Sequence, residues 1–324
     1  MSTRDRNPAV VSESQVEAAI SLLTDSSDRV VEGCRRALLA HGTLAESLLR
    51  ERLASVGGAE ADTLRAALLD VVGSRLEAPL VDHMVHGPSL EQGSILIGRL
   101  IDTGESPVSV GDTLDALAGQ VITALASGDE PRAGADAAAG QPGPPAAGTA
   151  GAIAGGSAAA RGSPALPRDL AVLIEVLARR NGLAGTDTRK ADPWDAVLHG
   201  VTSRRRGLPL ALCIAWLLVA RRAGLPLHGV NMPGHFLVRW EDGEQTIILD
   251  PFHGGRVLRD ADCRRMLVEA GYPSIDVTLL HATDRDMLLR TLRNLMMIAS
   301  RLRERELAAR CARIIGRTTA ITGA

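Results

Sequence analysis

The stretch GHFLVRWEDGEQTIILDPFHGG, residues 234–255, reads as two strands folded back on each other. HFLVRW and QTIILD are rich in β-branched and aromatic residues, and Asp242-Gly243 between them is a strong two-residue hairpin signal. Closing the hairpin on that dipeptide sets Glu241 opposite Glu244 and, further out, His235 opposite Asp250. Cross-strand partners carry β-carbons about 4.5–5.5 Å apart, close enough for the carboxylate to orient the imidazole. A four-residue loop centred on the same dipeptide keeps this register, whereas a three-residue bulged loop shifts it by one and separates the pair.

The same register sorts the faces. Phe236, Val238 and Trp240 lie over Leu249, Ile247 and Gln245, an apolar layer suited to packing on a helix. His235 shares the other face with Leu237, Arg239, Thr246, Ile248 and Asp250, a face expected to border solvent or a cleft. On spacing alone two readings stand: a functional His–Asp pair, or a surface histidine beside an Asp-Pro turn opener.

Working outward, GLPLALCIAWLLVARRAG (207–224) is apolar on every side except its last turn, where Arg221 and Arg222 suit the negative end of the helix dipole. Such a helix is expected at the centre of a core. LPRDLAVLIEVLARRNG (166–182) and ADPWDAVLHGVTSRR (191–205) read as helices before it, the second capped by Asp192 with Pro193 in its first turn. After the strands come CRRMLVEAG (263–271) and a long run from Arg285 to Gly316, read as a helical hairpin with its break near Arg303 to Glu306. Met287, Leu288, Leu292, Leu295, Met296 and Ile298 form a stripe at helical spacing, suited to a core or a helix-binding face.

Residues 15–126 read as short amphipathic helices with stops at Gly42 and Gly57. Asp25 followed by Val30-Val31 and a later Ala-Leu-Leu resembles one unit of a HEAT-type helical repeat, and a plain bundle gives the same spacing. Residues 127–166 are mainly Ala, Gly and Pro. With so little to bury, they read as a disordered linker, either between two lobes or inserted within one.

Composition narrows the class. The chain has 324 residues and a net charge of −2 without a long basic run, which argues against nucleic acid or anionic membrane as an obligate partner. All six aromatics lie beyond residue 190, and Lys190 is the sole lysine. Cys34, Cys213, Cys263 and Cys311 are far apart and form no CxxC pair, so reduced thiols and a cytoplasmic location are expected. The start, MSTRDRNPAVV, lacks the apolar core of a signal peptide, and the longest apolar run is too short to span a bilayer.

A buried helix, a strand opening with His and a strand closing with Asp-Pro follow the order of the papain-related, transglutaminase-like fold. DPWDAVLHGVTSRRRGLPLAL, ARRAGLPLHGVNMPGHFLVRW, LDPFHGGRVL and LLRTLRNLMMIA, together spanning about Asp192 to Ala299, resemble the SirB-type branch of the transglutaminase-like family. Members of that branch often carry C-terminal tetratricopeptide helices and are labelled as regulators. Together with the patterns above, the resemblance gives an expected α+β chain: an N-terminal helical, HEAT-like region (1–126), the disordered Ala/Gly/Pro linker (127–166), a transglutaminase-like domain (167–283) with a central buried helix and antiparallel strands, and a C-terminal helical hairpin (284–324). It also implies that His235 and Asp250 are paired.

Catalytic members place a nucleophilic Cys in the first turn of the central helix. Here that turn reads Gly207-Leu208-Pro209-Leu210-Ala211, without Cys, Ser or Thr. The nearest thiol, Cys213, sits about 6 Å deeper along the axis; it is a displaced nucleophile on one reading and a small core residue on the other. Asn231, near the strand entry, is a candidate donor to a ligand carbonyl. Arg239 is either a carboxylate-binding group or half of a surface ion pair. His253 reads as a loop residue lining the cleft. His235, Asp250 and His253 would make a two-His, one-carboxylate set, but nothing in the spacing demands it, so neither metal nor other cofactor is expected. His83, His86, His199 and His228 read as scaffold. Two functions remain open: a non-catalytic module that binds a protein or peptide, or a cysteine-dependent amidase, peptidase or acyltransferase using Cys213, His235 and Asp250.

Overall fold

A computed structural model describes residues 13–102, 104, 109–128, 166–277 and 280–323. The expected linker therefore lies almost wholly outside the described residues. In chain order the helices α1 (Glu13–Ser21), α2 (Asp28–Leu53), α3 (Gly58–His86), α4 (Leu90–Gly98) and α5 (Val110–Ser127) come first. Then follow α6 (Arg168–Ile174), which widens into a π-helical stretch at Glu175–Arg180, β1 (Ala184–Gly185), α7 (Leu198–Arg204), β2 (Arg206–Gly207) and α8 (Pro209–Arg222). The chain continues through β3 (Leu227–Val230), β4 (Leu237–Glu241), β5 (Thr246–Asp250), β6 (Arg256–Leu258), α9 (Asp260–Glu269), α10 (Asp284–Arg301) and α11 (Arg305–Thr322). No described helix is long and apolar enough to cross a membrane.

The chain groups into two compact units that do not follow chain order. One comprises Met1–Ser109, Ala191–His199 and Thr283–Ala324; the other comprises Val110–Lys190 and Gly200–Ala282. The boundaries expected from sequence run along the chain at 126, 166 and 283, whereas these units are drawn by contact. Helix α5 therefore groups with the sheet, and α10 and α11 group with the N-terminal helices.

In the first unit α3 supplies the longest buried stripe, from Ala61 and Leu64 through Leu68, Val71, Val72 and Leu76 to Leu80 and Met84. Helix α2 bends at Gly42, where φ is +32° and ψ is −95°. Helix α10 begins with a capping box: Thr283 Oγ1 accepts from Asp286 N at 3.2 Å, and Asp286 Oδ2 accepts from Thr283 N at 2.9 Å. Its buried side, Met287, Leu288, Leu292, Leu295 and Ile298, is the apolar stripe read from sequence, with Met296 outside the buried set. Helix α11 buries Arg310 against α3, where its Nη2 donates to Asp70 O at 3.2 Å and its Nε lies 3.5 Å from Glu77 Oε1.

In the second unit α8 is buried from Leu210 to Ala220, as its all-round apolar sequence requires. Beside it lies an antiparallel sheet in the order β3-β4-β5-β6, with Val238, Trp240, Ile247 and Leu249 buried on one face. The hairpin register differs from the expected one. Val238 pairs with Leu249, Arg239 with Ile248, Trp240 with Ile247 and Glu241 with Thr246, leaving Asp242–Gln245 as a four-residue loop centred one residue further on. The cause is local: Asp242 Oδ1 accepts from Glu244 N at 3.0 Å and Gln245 N at 2.9 Å, and its Oδ2 accepts from Trp240 Nε1 at 3.0 Å. These bonds organise a wider turn than a two-residue hairpin. Every partner moves by two residues, an even step, so each side chain keeps its face.

The other face also departs from expectation. Leu237 and Ile248 pack with Val230, Met232, Leu258, Cys263 and Leu267 in a small second core. Cys263 and Leu267 belong to α9, which covers the face expected to border solvent.

Candidate functional site

Two turns bring the candidate residues together. Met232-Pro233-Gly234-His235 closes with His235 N donating to Met232 O at 3.2 Å, and Gly234 has φ +74°. Proline followed by a residue with positive φ is the composition of a type II turn, and it places His235 at the mouth of β4. At the far end of β5, Asp250 Oδ1 accepts from Phe252 N at 3.0 Å and starts a 3₁₀ turn over Pro251–His253. Three residues per turn align positions i and i+3, so His253 returns onto Asp250. Gly254 (φ +69°) and Gly255 (φ +79°) then reverse the chain. A β-carbon on Gly255 would lie 2.7 Å from the Trp216 ring, so this turn sits directly on α8.

The result is a compact cluster. His235 Nε2 lies 3.0 Å from Asp250 Oδ2, and His253 Nδ1 lies 2.7 Å from the same oxygen. The three ligand-type atoms all fall within 4.8 Å of one another. Asp250 is 2% exposed and His235 is nearly buried, while the His253 side chain is 49% exposed, so the cluster opens on one side. Phe252 packs edge-on to both imidazoles, with centroids 5.9 Å from His235 and 5.1 Å from His253. Its ring lies against Gly185, where no side chain would fit.

Burial opposes ionisation of Asp250, but the hydrogen bonds and charge of His235 and His253 outweigh it and hold the carboxyl well below the usual carboxylate range. The hydrogen bond to Asp250 in turn raises the His253 imidazole above its ordinary value, against the opposing effect of desolvation.

His235 and Asp250 thus meet, but diagonally rather than as direct cross-strand partners. In the observed register the residue facing Asp250 would be Leu237, and His235 reaches the carboxylate from two residues further along the same face. Cys213 is fully buried, in the second turn of α8, and its Sγ lies 3.4 Å from the carbonyl oxygen of Phe236, the residue after His235. Arg239 is buried and not a surface group: its Nη2 donates to Glu241 Oε2 at 3.1 Å and lies 2.8 Å from His281 Nε2. Asn231 stands at the end of β3, where its backbone N donates to Leu280 O at 2.7 Å. His253, read as a loop residue lining the cleft and as the third member of a possible His–Asp–His set, lies in the turn after β5 and joins the cluster. The signal that reveals it is the Asp-Pro opening of a 3₁₀ turn, which aligns the fourth residue with the first.

The arrangement can orient an imidazole, hold an anion ready for a cation, or present two histidines to a ligand. For acyl transfer it needs a nucleophile, and the first turn of α8 supplies none.

Comparison with known proteins agrees with the geometry. A UPF0162 protein of Xylella fastidiosa is 37% identical over 153 residues, 45% of this chain and 54% of that protein. One from Pseudomonas aeruginosa is 36% identical over 122 residues, 37% of this chain and 44% of the relative. F-box only protein 21 of Mus musculus is 46% identical over a shorter stretch of 55 residues, 17% of this chain and 9% of that protein. The chain spans about half the length of these UPF0162 proteins. No solved structure is significantly similar to it. The profile of the transglutaminase-like superfamily matches residues 109–293, which include α8, the sheet and the whole His–Asp–His cluster, and the chain belongs to that superfamily.

Proposed function

We propose that this chain is a non-catalytic transglutaminase-like module of the SirB type that binds a protein or peptide in a regulatory role. Its N-terminal helices are HEAT-like and its C-terminal helices tetratricopeptide-like, and it works in the cytoplasm without a nucleic-acid or membrane partner. The observation that carries this reading is the start of α8: Pro209, Leu210 and Ala211 offer no attacking atom, and Cys213 is sealed in the core against the Phe236 carbonyl. Without a placed nucleophile the covalent step of acyl transfer is lost. Among the described residues β6 has no further partner strand, and its Arg256 pairs with Asp250. An extended peptide added to this edge runs beside His253.

The second reading, a cysteine-dependent amidase, peptidase or acyltransferase using Cys213, His235 and Asp250, is favoured by one fact: the sulfur touches the residue next to His235. Peptides selected from a random library on the full chain, then titrated against variants, separate the two. The binding role predicts unchanged affinity in Cys213→Ala and weaker affinity in His253→Ala. Turnover of an amide or ester that disappears in Cys213→Ala would establish the enzyme instead.

A further inference from the structure

We propose that His235, Asp250 and His253 form a binding site for one divalent first-row transition metal of the zinc or ferrous type. This goes beyond the binding role above and does not depend on it. Two imidazoles and one carboxylate are the donor set that borderline metals take, and here they come from two turns that converge on a single oxygen. Metal–ligand bonds of about 2.0–2.1 Å at tetrahedral angles separate neighbouring donor atoms by about 3.3 Å. The two observed His–Asp separations, 3.0 and 2.7 Å, are already close to that edge length. The third pair lies within 4.8 Å, so a small rotation of the more exposed His253 ring completes the set.

The surroundings are those of a prepared site. Asp250 is buried, and its Oδ1 is committed to Phe252 N, which leaves Oδ2 as the oxygen facing both rings. Burial of an anion is costly unless it is paired, and a dication held by both imidazoles would pair it. The two rings lie face to face, inclined by 28° with centroids 6.2 Å apart, and each turns one nitrogen to Asp250 Oδ2. On the His253 side the site opens outward, leaving a coordination position for water or for a group of a bound partner.

The test is titration of the full-length chain, stripped with chelator, with Zn²⁺ by calorimetry and with Co²⁺ by visible absorption. The expected result is one metal per chain, with Co²⁺ bands of a four- or five-coordinate nitrogen and oxygen site. His253→Ala removes a half-exposed ligand and should weaken binding at least about tenfold, comparable to what loss of a supporting contact costs a metal site. Asp250→Asn, which keeps the oxygen that caps Phe252, should weaken it similarly while the chain remains folded by circular dichroism. The exposed pair His86 and Asp82, 3.0 Å apart, is the control, and His86→Ala should change nothing. Absence of saturable binding, affinity unmoved in His253→Ala, or affinity lost in His86→Ala would each overturn the proposal.

Discussion

Asp250 performs two tasks with its two oxygens. Oδ1 caps the 3₁₀ turn through Phe252 N, and Oδ2 receives both imidazoles. Asp250→Ala removes the cap and leaves a nearly buried His235 without its acceptor, so it should destabilise the fold by about 2 kcal/mol in urea titration. Asp250→Asn retains a capping oxygen and should cost clearly less; equal losses would show that the cap is not what holds the turn. At this scale the meeting of His235 and Asp250 was legible from sequence, because alternation fixes the face of each residue and survives a register change of two. The set that adds His253 could be named from sequence, but the spacing did not demand it, since its closing depends on a 3₁₀ turn and not on strand periodicity. For a related reason the pattern puts Arg239 on the face away from α8 but does not reveal that α9 and the segment carrying His281 cover that face.

Among the elements, α8 was the easiest to anticipate, since a helix without a polar side has no stable place at a surface. The hairpin loop was harder. Asp242-Gly243 suits a two-residue turn, and the competing bonds from the Asp242 carboxylate to Glu244 N and Gln245 N decide against it. Helix α7 offers a pH test. His199 packs against Gly98 of α4, where a β-carbon would collide with its ring. Burial pushes the His199 imidazole below its ordinary value of 6.5, with the charge of Asp102 opposing and that of Arg99 assisting. A depressed folded pKa contributes stability that is present above the unfolded value and is lost as pH falls toward the folded one. The urea midpoint should therefore fall as pH drops below about 6.5, and His199→Gln should flatten that decline. A decline of the same steepness in the variant would assign it to other groups.

For the molecule as a whole, local patterns do not encode which distant segments share a core. Helices α10 and α11 follow the transglutaminase-like sheet in sequence yet group with α2 and α3, and α5 precedes the Ala/Gly/Pro segment yet groups with α8. Arg310 on α11 shows the dependence directly, being buried among Asp70 and Glu77 of α3 and Glu306 of its own helix. Deleting residues 305–322 should uncover the α3 core face and remove more helical signal than those residues carry; circular dichroism of the truncated chain reads this, and a loss confined to the deleted helix would contradict it. The functional account rests on a central helix whose leading end lacks an attacking atom and whose thiol is sealed inside. Iodoacetamide labelling of the native full-length chain near neutral pH, followed by mass mapping, tests this most directly. The account predicts Cys213 unmodified until denaturant is added, whereas rapid native labelling at Cys213 that slows in His235→Ala would contradict it.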